Sequence, residues 1–546
     1  MKIELIKNRL IKPRVITALI FIIFTGIHYT EVKLVAEQSG DGFLKPAYLC
    51  LALLMLFTVI GSAYLLDQAK ADKLPLCRSF AASALLLGIG YMYVFQGLSA
   101  PDEISHYISA YKLSSQWLGA EATVEDGHVI VREQDYFLGD LNDEAGKTGA
   151  ARILGEDLGE NDFRIIKNWN RLYPFKNSEV MRRSLYPPVN TTPLVYIPQA
   201  FGITLARFLG FNSIAMLNFG KFFNLLIYII IMSYAISLMP FAEKVLYGAA
   251  LLPMSLHLAA SMSYDAMLLS VTACFFAKIL NLAVYNQAPA KKIEFKDIAF
   301  LAVLTAVFAP CKIIYSPLIL AYFIIPAKNF KNKKYCAAGF IILSAALIIS
   351  MMLINSVVIK NYAEAKASTV GWNAEAGFTF AELLHRPFFT LSMLYKTVLL
   401  QLDYYHFTMI GAYLGNINKV LNIPYLAVIL FTLGLLILAL PELEKKESFK
   451  LSIGKRLLLL FIIMAVSGGA LLSMFIAWTP RSAMVISGVQ GRYFLPVLVP
   501  ALLLIDNSFI VCRSDRSNTV LCTFIWLNAY SLIRLFALVC LRVNLP

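Results

Sequence analysis

Three residues with acid–base chemistry lie close together in the segment Pro101-Asp102-Glu103-Ile104-Ser105-His106. Pro101 suits the first turn of a helix, and acidic residues in that turn complement the helix dipole. On such a helix Asp102 and His106 share a face because they are four positions apart, whereas Glu103 points about 100° away. A positioned carboxylate or imidazole can take a proton from a reacting group. The alternative interpretation is a capped helix whose acidic start is solvated.

The composition indicates which elements must position these residues. The chain has 546 residues, of which 59% are hydrophobic and 15% are charged, whereas soluble proteins have about 45–50% apolar and about 25% charged residues. Apolar runs of about 20 residues recur along most of the sequence, and each can cross a bilayer core of about 30 Å. The sequence therefore predicts an all-α polytopic membrane protein and excludes soluble enzyme folds. The net charge of +14 comes from loops between the runs, where it sets orientation rather than binding nucleic acid.

Hydropathy predicts about 13 transmembrane helices, which are separated by one long polar stretch after the third. Their approximate ranges are residues 15–30, 46–66, 79–98, 213–239, 245–263, 266–285, 297–311, 313–326, 335–358, 423–440, 457–478, 492–510 and 518–540. Lys and Arg remain in the cytoplasm, and with 13 alternating spans five basic clusters fall on one side. These clusters are residues 2–14, 70–78, 291–296, 328–334 and 445–456. The N-terminus is then cytoplasmic.

The same orientation divides the chain into three regions. Residues 1–98 form a three-helix membrane segment, residues 99–212 an extracytoplasmic loop with interfacial helices, and residues 213–546 a membrane domain. Within these regions the apolar stretches 194–209 and 391–414 are predicted not to cross, and interfacial or re-entrant helices are expected near residues 359–422. A loop as long as 99–212 is usually functional or a small ordered subdomain, so we place the chemistry there.

Two basic residues lie at the predicted outer ends of spans, where cations could neutralise a lipid phosphate. Lys312 occupies a tight turn between two short apolar runs, although an interfacial lysine can also simply snorkel. Arg492 opens the twelfth span in Gly488-Val489-Gln490-Gly491-Arg492-Tyr493, where the glycines permit close backbone approach and the guanidinium can bind phosphate bidentately. We predict a phosphate site at Arg492, Lys312 and Tyr493; the alternative for Arg492 is an orientation anchor.

Three further residues are candidates for binding an acceptor or a sugar. Asp265 lies in a short outer loop, where an aspartate can also simply cap the following helix. Tyr186 precedes Pro187-Pro188 and suits a platform beside lipid head groups, or a plain membrane-boundary turn. Trp372 could stack on a sugar ring, although interfacial tryptophans are common for other reasons. A divalent cation, Mg²⁺ or Mn²⁺, is left open, with the potential ligands Asp102, Glu103, His106 and Asp265.

The acidic motif resembles that of the GT-C superfamily of membrane glycosyltransferases, most closely protein O-mannosyltransferases and aminoarabinose transferases. In that superfamily the motif usually follows the first span, whereas here it follows the third. Either two N-terminal spans are additions or fewer than three spans precede the motif. Together with Gly488-Val489-Gln490-Gly491-Arg492-Tyr493-Phe494-Leu495-Pro496, it also resembles the bacterial membrane family called domain of unknown function 2142, over about residues 80–510.

The GT-C resemblance implies that a sugar moves from a polyprenyl-phosphate carrier to an acceptor outside the cytoplasm, with inversion at the anomeric carbon. It implies that Asp102 deprotonates the acceptor hydroxyl, and that Glu103 and His106 orient this base or bind acceptor hydroxyls. It further implies roles for a basic residue at a short hairpin, here Lys312, and for a second loop acid, here Asp265. The expected partners are the lipid-linked donor, an envelope glycan or glycolipid acceptor and the lipid bilayer.

The leading hypothesis is therefore a polyprenyl-phosphate-sugar-dependent glycosyltransferase of the bacterial cytoplasmic (inner) membrane, with an extracytoplasmic active site. The alternative is a transporter or flippase of lipid-linked sugars. Such proteins need charged residues deep within spans and usually have inverted repeats; the sequence shows no repeat halves and no mid-span acid beyond Asp403. An assembly scaffold without activity is a third hypothesis.

Overall fold

The computed structural model describes residues 2–69, 73–139, 152–172, 180–284, 292–363, 369–370, 372, 374–441, 451–505, 510–512 and 515–541. Parts of three basic clusters, at residues 70–72, 291 and 445–450, lie outside these ranges. The described chain is mostly helical. Its α-helices are α1 (Lys2–Gln38), α2 (Leu44–Gln68), α3 (Lys73–Val94), α4 (Glu103–Trp117), α5 (Glu160–Leu172), α6 (Ile197–Phe208), α7 (Ser213–Leu238), α8 (Glu243–Ala250), α9 (Pro253–Ala259), α10 (Asp265–Val284), α11 (Phe295–Phe308), α12 (Lys333–Ala363), α13 (Phe380–His385), α14 (Pro387–Ile410), α15 (Tyr425–Ala439), α16 (Ile453–Ala477), α17 (Leu495–Leu503) and α18 (Ser517–Leu541).

Eight helices in the described part of the chain are long and apolar enough to cross a membrane. They are α1 from Thr17 onward, α2, α3, α7, α10, α12 as far as Ser356, α16 and α18. The chain is therefore an all-α membrane protein, as its composition predicted. Three further apolar helical segments, Ile313–Ile324, Tyr425–Ala439 and Gly491–Leu503, are shorter, and α11 has 14 residues.

Two predicted spans differ from continuous α-helices. The predicted span 245–263 consists of α8 and α9, because Pro253 starts a new helix and cannot donate the hydrogen bond that would continue the previous one. The predicted span 313–326 is a 3-10 helix over Ile313–Ile324, with Pro317 inside it. At about 2.0 Å per residue its 12 residues reach about 24 Å, against about 18 Å for an α-helix of the same length.

The helices have two chemically distinct ends. At one end, which we call the site end, α3 ends and α10 begins, close to the segment that starts at Gly491. At the opposite end the ammonium group of Lys73 donates a hydrogen bond to the carbonyl of Ser237, over 3.2 Å. There too, Lys278 and Asp297 form an ion pair of 2.7 Å.

The described residues between 95 and 212, namely 95–139, 152–172 and 180–212, form a small region at the site end. Its short strands are β1 (Ile130–Arg132), β2 (Leu138–Gly139), β3 (Arg152–Ile153) and β4 (Met181–Arg183), which pair antiparallel as β1 with β4 and β2 with β3. The hydroxyl of Ser213, at the start of α7, donates to Asp135 over 2.6 Å. Leu98 N–H donates to the Leu154 carbonyl over 2.8 Å. The first contact joins the region to α7, and the second joins the turn after α3 to the rest of the region.

Two apolar helices stay at the site end. α6 has 12 residues, which at about 18 Å is too short to cross a bilayer core of about 30 Å. α14 is longer, but near its start the ring of Phe389 packs 6.2 Å from that of Phe475 at the end of α16. Near its end, the hydroxyl of Thr408 accepts a hydrogen bond from Gly491 N–H over 2.8 Å. After α14, the hairpin of β5 (Tyr413–Leu414) and β6 (Asn418–Asn422) leads into α15.

Candidate functional site

Asp102 lies at the corner between α3 and α4. The helix begins at Glu103 and not at Pro101, and Asp102 precedes it in the left-handed region, with φ of 57°. Its side chain is 66% exposed, and one carboxylate oxygen, Oδ2, accepts a hydrogen bond of 2.7 Å from Nη2 of Arg492. The corner therefore presents the carboxylate to solvent while one of its oxygens is held by a cation.

Arg492 is the buried partner in this pair. Its side chain is 3% exposed, and Nη1 lies 3.3 Å from Oδ2 of Asp265. Among the described residues, neither Nε nor Nη1 of Arg492 has a hydrogen-bond partner. Because a guanidinium carries five N–H donors in a planar fork, Arg492 has more donors than the hydrogen bond to Asp102 uses.

The glycines before Arg492 explain how it reaches this position. Gly491 lies directly against α14, and a Cβ there would collide with the Tyr405 carbonyl oxygen and the Met409 backbone nitrogen. Gly488 has φ of 80°, and a Cβ there would collide with the Trp478 side chain. The predicted close backbone approach is therefore confirmed, and the partner is α14.

Asp265 and Lys312 extend the arrangement beyond Arg492. Nζ of Lys312 donates to Oδ1 of Asp265 over 2.9 Å, and the same ammonium group lies 4.5 Å from the ring centre of Tyr493 and 5.3 Å from that of Tyr264. Such cation–π contacts hold the lysine in place. We call the alternating series Asp102, Arg492, Asp265 and Lys312 the charge row. The structure thus brings together four residues that the sequence analysis had placed in the site.

The electrostatic surroundings determine the protonation of the two candidate bases. Desolvation raises the pKa of Asp102, but the charge of Arg492 and its hydrogen bond outweigh this effect and hold the pKa below its ordinary value. Burial lowers the pKa of His106 to about 4, although the charges of Asp265 and Asp102 act in the opposite direction. Near neutral pH Asp102 is therefore a carboxylate and His106 is neutral.

His106 is enclosed by two tyrosines that the sequence analysis did not identify. Its Nδ1 shares a hydrogen bond of 2.8 Å with the hydroxyl of Tyr196, and its ring stands edge-on to that of Tyr264, with the ring centres 4.8 Å apart. His106 is 5% exposed. It therefore packs behind the charge row rather than facing solvent.

Glu103 points away from the charge row into the protein. Its Oε1 lies 3.1 Å from Nζ of Lys221, which belongs to the membrane helix α7, and both side chains are almost fully buried. The sequence analysis missed Lys221, although a lone charge inside an apolar run was a signal that could have found it.

A cleft of about 180 Å³ opens beside Asp102. Polar residues make up much of its lining, namely Asp102, Glu103, Ser105, Glu156, Tyr186 and Asn416. Tyr186 thus lies in the same cleft as the exposed carboxylate, and Asn416 comes from the hairpin after α14. Trp372 is not part of this lining; its Nε1 instead donates to the carbonyl of Trp478 over 3.1 Å, in the segment that leads to Arg492.

The described residues do not fit a metal centre. They contain no group of three or more His, Cys, Asp or Glu side chains placed to hold an ion. Of the four potential ligands, each of the three carboxylates pairs with a cation, namely Asp102 and Asp265 with Arg492 and Glu103 with Lys221.

Comparison with known proteins confirms one of the two resemblances. A family model with the description "Predicted membrane protein (DUF2142)" matches residues 85–501, which is more than half of the chain. No curated protein and no solved structure matches the chain. The GT-C resemblance stays a prediction.

Proposed function

The chain belongs to this family of membrane proteins, DUF2142, and on that premise we propose that it is an inverting glycosyltransferase that uses a polyprenyl-phosphate sugar. The observation that carries the proposal is the ion pair between the exposed carboxylate of Asp102 and the buried guanidinium of Arg492. A base and an anion-binding group are thereby held side by side at one end of a membrane helix bundle.

The cations of the charge row suit the phosphate of a lipid-linked donor. Arg492 is buried, and within the described part of the chain its Nε and Nη1 make no hydrogen bond, although Nη1 lies 3.3 Å from Asp265. Lys312 lies on the other side of Asp265. Charge-assisted hydrogen bonds to phosphate are among the strongest in proteins. Fixed cations at this position would stabilise the negative charge that develops on the leaving phosphate. Tyr493 supports Lys312 through its ring.

Asp102 faces the cleft in which an acceptor could bind. In the proposed step, the acceptor hydroxyl gives its proton to the Asp102 carboxylate while its oxygen attacks the anomeric carbon from the side opposite the phosphate. The new glycosidic bond forms as the bond between the anomeric carbon and the phosphate oxygen breaks. Polyprenyl phosphate leaves with the bonding electron pair. Tyr186, in the same cleft, would contact the acceptor.

Binding of the donor would also change the base. The phosphate competes with Asp102 for Arg492, and a carboxylate that loses its cation becomes a stronger base because its pKa rises. Asp102 would therefore be most reactive once the donor is bound. Asp102 would thus become a stronger base only when the donor phosphate is present.

The location follows from the same proposal. The basic clusters of the loops would keep the N-terminus in the cytoplasm, and the site end would then lie outside the cytoplasmic membrane. The acceptor would be a cell-envelope glycan or glycolipid. Helices α6 and α14, which stay at the site end, would lie at or re-enter from the outer surface.

Transfer by the purified protein tests the proposal. The protein in lipid nanodiscs is supplied with radiolabelled undecaprenyl-phosphate sugars and an envelope glycolipid extract, and labelled glycolipid is measured beside the Asp102→Asn variant. Asp126→Asn is a matched control, since Asp126 lies in the same region and pairs with Arg183 on the surface, at 2.6 Å. We expect label transfer by the parent and by the control, and about 10²–10⁴-fold less by Asp102→Asn. Transfer by Asp102→Asn at the rate of the parent contradicts the role of Asp102 as the base. Movement of labelled donor across the membrane of proteoliposomes, without transfer to an acceptor, favours a flippase.

A further inference from the structure

Glu103 and Lys221 form an ion pair that the transfer step does not use. Lys221 lies within the membrane helix α7 and is 1% exposed, and Oε1 of Glu103 lies 3.1 Å from its ammonium group. A charge in the interior of a membrane protein is expensive unless it is paired, and it usually serves a function. We therefore expect this ion pair to have a function in addition to packing.

The carboxylate of Glu103 connects two loops that carry site residues. Its Oε2 accepts a hydrogen bond of 2.7 Å from Ala100 N–H, in the corner that presents Asp102. Its Oε1 accepts one of 2.9 Å from Met262 N–H, three residues before Asp265. One side chain thus fixes the distance between the two acids of the charge row.

Lys221 connects the same corner to α7. Its ammonium group donates to the carbonyl of Phe95 over 3.3 Å and to that of Gly97. Both carbonyls lie in the turn that follows α3, just before the corner of Asp102. The loop before Asp265 is also hydrogen-bonded to α7, because the side-chain amide of Asn224, in α7, donates to the Ser261 carbonyl over 2.7 Å.

We propose that Glu103 and Lys221 are a positioning pair for the transfer reaction: they hold the left-handed corner of Asp102 at a fixed distance from Asp265 and Arg492. This inference rests on the proposed function. Glu103 then does not act on the substrate, because both of its carboxylate oxygens already accept hydrogen bonds from the protein. Lys221 of α7 acts with it to hold the corner in place.

The test compares two buried ion pairs of the same bundle. The first double variant is Glu103→Gln with Lys221→Met, which removes both charges and so leaves neither unpaired. The matched control is Lys278→Met with Asp297→Asn, which removes the ion pair at the opposite end. Three quantities are measured for each: affinity for undecaprenyl phosphate, kcat of transfer, and hydrogen–deuterium exchange of peptides containing Ala100 and Met262.

For the first double variant we expect kcat to fall by about 100-fold, because a displacement of about 1 Å at a reacting group costs that much, while affinity for undecaprenyl phosphate is retained. Exchange at Ala100 and Met262 should become faster. The control should keep the kcat and the exchange pattern of the parent. If the first variant does not fold, Glu103→Asp is used, which keeps the charge but shortens the side chain, and the same loss of kcat is expected.

Each outcome separates this inference from the proposed function. The positioning role is overturned if the folded variant with Glu103→Gln and Lys221→Met keeps the kcat of the parent. It is also overturned if the control loses kcat to the same extent. Exchange that stays slow at both amides overturns the proposed connection between the loops. A parent protein that transfers no sugar overturns the proposed function instead, and the exchange comparison then still decides whether Glu103 holds the two loops.

Discussion

Asp102 and Arg492 are 390 positions apart in the chain, yet Oδ2 of the first accepts a hydrogen bond from Nη2 of the second over 2.7 Å. The carboxylate is largely exposed and the guanidinium is buried. An exposed base and an enclosed cation are therefore joined across the site end, one contributed by the corner after α3 and the other by the segment before α17.

Removing the charge of Asp102 should have opposite effects on transfer and on phosphate binding. Asp102→Asn should lower transfer by about 10²–10⁴-fold, the usual contribution of a general base. The same variant should bind undecaprenyl phosphate more tightly, since the neutral amide no longer competes for Arg492. Binding is measured by microscale thermophoresis in detergent. Weaker binding by the variant would mean that Arg492 does not exchange Asp102 for phosphate.

Arg492→Lys should weaken binding of undecaprenyl phosphate by about tenfold to a hundredfold. It keeps the positive charge but loses the planar donor fork, and a hydrogen bond to a charged group contributes about 1.5–3 kcal/mol. Arg481→Lys is the control, because Arg481 pairs with Glu382 at an exposed position in the preceding segment. An unchanged affinity in Arg492→Lys would show that the fork is not a phosphate ligand.

Acidification should destabilise the protein through His106. Its pKa is about 4 in the folded protein and about 6.5 in an unfolded chain, so the unfolded state binds the proton more tightly between these values. The contribution of the neutral imidazole is complete above about pH 6.5 and is lost as the pH falls towards 4, by about 3 kcal/mol in total. Melting temperatures in detergent at pH 7 and pH 5 should therefore differ less for His106→Gln than for the parent.

Gly491→Ala should impair the site, whereas an equivalent change elsewhere should not. A Cβ at Gly491 collides with backbone atoms of α14, so the Arg492 segment must shift, and a shift of about 1 Å costs about 100-fold in rate. Gly468 in α16 has open space around its would-be Cβ, and Gly→Ala within a helix stabilises by about 0.5–1 kcal/mol. Thermal melting and transfer are compared for the two variants, and parental activity of Gly491→Ala would contradict the close packing.

The sequence singled out all four members of the charge row, although it did not predict how some of the helices around them are built. Lys312 and Arg492 stood out as basic residues at the predicted outer ends of spans. Asp102 stood out through its spacing to His106, and Asp265 as a second acid in a short outer loop. Hydropathy counts apolar residues, however, and cannot tell a continuous span from the broken pair α8 and α9. It also could not show that residues 313–324 form a 3-10 helix, since a continuous apolar run is compatible with either type of helix.

Other parts of the site depend on contacts between distant residues. Glu103 looked like a second catalytic acid because it stands beside Asp102, and only the fold brings Lys221 to it. Tyr196 and Tyr264 resemble any other tyrosines near apolar runs, and nothing in their spacing indicates His106. Single residues with an electrostatic cost are therefore visible in a sequence, whereas the neutral groups that enclose them are not.

The charge row contains two carboxylates and two cationic side chains, so its formal charges sum to zero. The neutral His106 beside it adds no charge. In the proposed reaction the donor is a phosphodiester with one negative charge, but the released lipid monophosphate carries about −1.5 to −2 near neutral pH. The same cations should therefore retain the spent carrier more strongly than the fresh one. Turnover would then be limited by departure of the carrier, and loss of the captured proton from Asp102 would restore the negative charge that helps to expel it.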